Sequence, residues 1–73
     1  MPNLPVISGR EAIKTLSKIG YREVRRRGSH IRLSCPGKKS VTIPDYKTIS
    51  RGLLRKILRD AELSVMRFLR LMK

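Results

Sequence analysis

The 73 residues carry 18 Lys and Arg against 5 Asp and Glu, a net charge of +13. A chain this short reads as one domain, 1–73, burying only about 60% of the surface its unfolded form exposes, while repulsion among its cations opposes compaction. The composition excludes a bilayer span, a disulfide framework (one Cys) and a broad aromatic stacking platform (no Trp, 4% aromatics), and it points to a polyanionic partner.

Met1-Pro2-Asn3-Leu4-Pro5 has neither the basic start nor the apolar stretch of a signal peptide, so the expected location is the cytoplasm. Residues 1–7, with two prolines and no helical period, read as an extended lead-in. Ser8 with Glu11 three positions on forms a capping box. Ala12, Ile13, Leu16 and Ile19 then recur at helical spacing, which predicts a helix over about 9–19, ended by Gly20. Three short strands are expected next. The first spans 21–26, with Arg27-Gly28-Ser29 as the turn. The second spans 30–35, with Ile31, Leu33 and Cys35 inward and His30, Arg32 and Ser34 outward. After Pro36-Gly37-Lys38 the third spans 39–43, with Val41 and Ile43 inward and Pro44 as its end.

Asp45 to Ile49 reads as a polar link. Ser50 caps a helix over 51–61 whose apolar stripe is Leu54, Ile57, Leu58 and Ala61, leaving Arg51, Arg55, Lys56 and Arg59 on the wet side. Ser64 caps a last short helix that docks through Val65, Phe68, Leu69, Leu71 and Met72. Helices on one face of a three-stranded antiparallel sheet make an α+β domain. Cys35 is expected to be a small buried apolar residue, and one Cys with one His is too little for a zinc site.

The chemistry concentrates in Arg25-Arg26-Arg27-Gly28-Ser29-His30-Ile31-Arg32. His30 is the only His, and strand alternation alone puts it on the open sheet face beside Arg32. Imidazole both takes and gives a proton near neutral pH, and arginine grips phosphate with two parallel donors. On residue type alone, a lone imidazole is more often a solvated side chain than a catalyst. Its setting among cations favours contact with nucleic acid.

Five motifs occur in order: Ser8-Gly9, Gly20-Tyr21, Arg26-Arg27-Gly28-Ser29-His30, Val41-Thr42-Ile43-Pro44, and Gly52-Leu53-Leu54-Arg55-Lys56-Ile57-Leu58 followed by Ala61-Glu62-Leu63-Ser64. In these the chain resembles HicA-type toxins of toxin–antitoxin pairs, from Ser8 to about Leu71. The resemblance implies a small α-β-β-β-α domain like the double-stranded RNA-binding domain, here with a short C-terminal helix. It implies ribonuclease cleavage of mRNA without a metal or other cofactor, His30 as the functional histidine, and a HicB-type antitoxin as partner. Family members often carry a second His where Asp45-Tyr46 stands here, and a Thr where Leu53 stands.

The expected reaction has His30 as general base on a ribose 2′-OH that attacks the adjacent phosphate. Arg25, Arg26, Arg27, Ser29, Arg32, Lys47, Arg51 and Arg55 are the expected RNA contacts, and Tyr46 and Lys47 are candidates for the leaving-group acid. The alternative is a noncatalytic RNA-binding module of the same fold class. A DNA-binding accessory protein ranks last, since no helix-turn-helix pattern stands out.

Overall fold

The computed structural model describes residues 4–73. Its elements are α1 (Gly9–Ser17), β1 (Arg22–Arg27), β2 (His30–Ser34), β3 (Val41–Pro44), α2 (Arg51–Asp60) and α3 (Val65–Leu71). This is the expected α+β order, with a three-stranded antiparallel sheet in the order β1-β2-β3.

Each helix starts where a serine satisfies its free backbone donors. Ser8 Oγ accepts from the Glu11 backbone at 3.1 Å and Glu11 Oε1 accepts from the Ser8 backbone at 3.3 Å, completing the capping box. Ser50 and Ser64 accept from Leu53 and Arg67, each at 3.1 Å. α1 stops at Ser17, two residues short of the expected end, and the chain leaves through Lys18 to Gly20, where Gly20 has φ 107°. Lys18 Nζ reaches the carbonyls of Leu71 and Lys73, placing a cation at the negative end of α3.

β1 begins and ends one residue later than expected, because Tyr21 is withdrawn into the core. Its hydroxyl donates to the Lys39 carbonyl at 2.8 Å, and burial, followed by the nearby Cys35 and acidic charges, pushes the phenol above its ordinary value. The turn is then Gly28-Ser29 alone, with Gly28 at φ 60°. β3 starts at Val41 rather than at residue 39 and takes in Pro44, which pairs with His30. Proline is accepted there because it is the last residue of an edge strand.

The register puts Glu23, Leu33 and Val41 in one transverse row and Arg26, Ile31 and Ile43 in another. Ile31, Leu33, Val41 and Ile43 are buried with Ala12 and Leu16 of α1, Leu54, Ile57 and Leu58 of α2, and Phe68 of α3. Cys35 is buried as expected, and Tyr21 and Phe68 are the large pieces of this core. The lead-in is not loose over its described part. Leu4 and Ile7 are buried, and Ile7 bridges Ile49, which donates to the Ile7 carbonyl at 2.8 Å. The rest of the expected lead-in, residues 1–3, lies outside the described residues. No helix among the described residues is long and apolar enough to cross a membrane.

Candidate active site

On the outer face of the sheet the rows are Arg25, Arg32 and Thr42, then Arg27, His30 and Pro44. The first two residues of each row are direct cross-strand neighbours. A slip in register between Glu23 and Arg25 sets this arrangement, with Val24 as the extra, exposed residue. Arg25, Arg27, His30, Arg32 and Thr42 together line a shallow depression of about 250 Å³.

No carboxylate lines that depression. The ion pairs among the described residues are Arg10–Asp45, Arg26–Asp45 and Lys56–Asp60, and none involves Arg25, Arg27 or Arg32. Like charges directly opposite in a ladder destabilise it. The Arg25–Arg32 pair is therefore an unrelieved repulsion that an anion would relieve. Larger grooves elsewhere differ in kind. One sets Asp60 and Glu62 among Lys38, Lys39 and Arg59, and another sets Glu11 among Lys14, Lys18 and Lys73.

The expected contact residues separate into two groups. Arg25, Arg27 and Arg32 gather with His30. Arg26 points away: its Nη2 donates to Asp45 at 2.9 Å and its Nε to the Gly28 carbonyl at 3.2 Å. Ser29 contributes its carbonyl, which accepts from the Asp45 backbone at 2.6 Å. Arg51 Nε donates to the Leu4 carbonyl at 2.6 Å, fastening the N-terminal segment to α2. Arg55 lines a separate groove with Leu58, Arg59, Leu63 and Val65. Tyr46 and Lys47 are exposed but do not line the depression. Thr42 was not among the expected residues, although the inward positions of Val41 and Ile43 imply that it faces outward. Among the described residues nothing hydrogen-bonds to the imidazole, and no three of His, Cys, Asp and Glu gather as a metal site.

The fold and the site define a small basic α+β domain that displays one imidazole in a carboxylate-free ring of arginines on an open sheet. The chain belongs to the HicA toxin family: the family model described as the HicA toxin of bacterial toxin–antitoxin pairs matches residues 9–63, about three quarters of its length. No curated protein matches the chain.

Proposed function

We propose that this toxin is an endoribonuclease that cuts mRNA at the His30 depression. The observation that carries the reading is the imidazole held beside three arginines with no carboxylate to neutralise them. His30 takes the proton of a ribose 2′-OH, the freed oxygen attacks the neighbouring phosphorus, and the bond to the 5′ oxygen breaks. The imidazolium so formed is the proton source for the leaving oxygen, since Tyr46 and Lys47 stand outside the lining. Arg25, Arg27 and Arg32 hold the phosphate and stabilise the charge that builds on it. The products are a 2′,3′-cyclic phosphate and a free 5′-OH. DNA lacks the nucleophile and is bound without being cut. The same cationic face is the surface a HicB-type antitoxin would cover, and both partners place the protein in the cytoplasm.

The test is cleavage of RNA by wild type and His30→Ala in the presence of EDTA. Wild type is expected to cut despite the chelator. The variant is expected to bind RNA but not cut it, a loss of about 10²–10⁴-fold for a general acid–base group. Equal cleavage by both proteins excludes His30. The second reading, a noncatalytic RNA-binding module, is favoured by the missing hydrogen-bond partner that would fix the imidazole tautomer. Binding without cleavage by either protein would establish it.

A further inference from the structure

The turn that presents His30 is braced from one place. Its two residues are Gly28 and Ser29, and both carbonyl oxygens are taken. Gly28 accepts from Arg26 Nε at 3.2 Å and Ser29 accepts from the Asp45 backbone at 2.6 Å. Asp45 also holds Arg26 itself, through Oδ2 at 2.9 Å. Asp45 therefore reaches the turn twice, once through its own N–H and once through the arginine it fixes.

Three more observations converge on this residue. Its carboxylate accepts from Arg10 as well, Oδ1 lying 3.2 Å from Nε and Oδ2 3.3 Å from Nη2, which ties the turn to the first residues of α1. The chain on either side of Asp45 is fixed by Gly9, whose N–H donates to the Tyr46 carbonyl at 2.9 Å and whose α-carbon lies so close to the Pro44 carbonyl that no side chain fits. Finally, the residue that pairs with His30 across the ladder is Pro44, which has no N–H to give. The donor on the β3 side comes one residue later, from Asp45.

We infer that Asp45 is a positioning residue for His30, holding the Gly28-Ser29 turn through its backbone N–H and, through its carboxylate, fixing Arg26 where its Nε braces Gly28. The inference rests on the reading of His30 as the catalytic base. It explains how three consecutive arginines serve two ends. Arg25 and Arg27 stay free for phosphate, while Arg26, with its charge answered, becomes a strut. The hydrogen bond from Arg26, ahead of the charge of Arg10, holds the Asp45 carboxyl below its ordinary value despite some desolvation. The brace thus stays ionised across the range in which an imidazole titrates.

The experiment compares wild type, Asp45→Ala, Asp45→Asn and His30→Ala by RNA cleavage, with kcat and KM resolved, and by the ¹⁵N–¹H spectrum of the imidazole in each protein that retains it. Assays run well below each variant's unfolding midpoint. Asp45→Ala is expected to lower kcat by about 10- to 100-fold, as a misplaced catalytic group does. KM is expected to change little, because Arg25, Arg27 and Arg32, which line the depression, are untouched. Both Asp45 variants keep the backbone donor, so they probe the carboxylate; Asp45→Asn, which retains an acceptor oxygen for Arg26, is expected to recover part of the loss. The His30 ring signal should shift and broaden in Asp45→Ala. If His30→Ala abolishes cleavage while Asp45→Ala keeps wild-type kcat, the positioning role is overturned and the catalytic reading stands. If His30→Ala cuts as wild type does, the catalytic reading fails and the ring spectrum alone decides: an unchanged spectrum in Asp45→Ala overturns the brace, and a changed one upholds it.

Discussion

Two glycines sit in the first turns of two helices, and the structure assigns opposite signs to replacing them with alanine. At Gly9 an added methyl would lie well inside contact distance of the Pro44 carbonyl oxygen and against the Asp45 α-carbon, both backbone atoms that cannot rotate away. Helix α1 must then lift from β3. Overpacking of this kind costs about 1–3 kcal/mol. The 2.9 Å bond from Gly9 N–H to Tyr46 is strained or lost with it, for about 1 kcal/mol more. The total of about 2–4 kcal/mol is a large share of the roughly 4–11 kcal/mol that a domain of this length has at about 0.05–0.15 kcal/mol per residue. At about 4–8 °C per kcal/mol, Gly9→Ala should lower Tm by roughly 8–30 °C. Gly52 has open space around its would-be methyl and lies within α2, so Gly52→Ala should stabilise by up to about 1 kcal/mol. Circular dichroism of both variants on heating and in urea checks the pair. A Gly9→Ala protein melting within about 2 °C of wild type would refute the close approach of α1 to β3 on which the placement of Asp45 depends.

Removing Arg32 should weaken RNA binding and flatten the dependence of log K on log salt by about 0.7 for a single-stranded ligand, one phosphate's worth, whereas Arg26→Ala should leave that slope unchanged because Asp45 and Gly28 already occupy its donors. Fluorescence anisotropy across a salt series measures both. The Asp45 carboxyl is held below its ordinary 3.8 chiefly by the hydrogen bond from Arg26. A depressed folded value adds stability that is present above the unfolded value and lost as pH falls through the folded one. The stability gap between wild type and Asp45→Asn should therefore be constant near neutrality and close below about pH 4; a gap equal at about pH 7 and about pH 2 would contradict it. Lys38→Met removes the 2.8 Å bond from Nζ to the Ala61 carbonyl at the end of α2, and the urea midpoint should report a loss of about 0.5–1.5 kcal/mol.

The clean alternation of β2 made the inward Ile31 and Leu33 and the outward His30 and Arg32 readable from sequence. The serine caps and the α2 stripe were equally plain, because each is a local pattern. The phase of β1 was not. With Tyr21 inward, unbroken alternation would send Arg25 and Arg27 inward and Arg26 outward. The bulge at Val24 reverses this, and a strand with one apolar residue among five charged ones carries no periodic signal of where it slips. The burial of Leu4 and Ile7 is not legible in sequence, because two apolar residues among prolines show no period and it depends on Ile49 and Arg51, more than forty positions on. Asp45 carries no local sign of its role, since its partners, Arg26 and Arg10, stand 19 and 35 residues away.

β1 is an edge strand, and all six of its residues are exposed, four of them arginine. Open edges invite a second strand to pair, and a run of like charge is one of the ways proteins refuse that invitation. Beside the bulge at Val24 the refusal is electrostatic, and that part of it reaches only as far as the ionic atmosphere lets it. In dilute buffer two molecules approaching edge to edge repel over about 10 Å or more; in molar salt the reach shrinks to about 3 Å. Concentrated salt, which ordinarily keeps a basic protein away from stray polyanions, is thus the condition in which this one should begin to stick to itself.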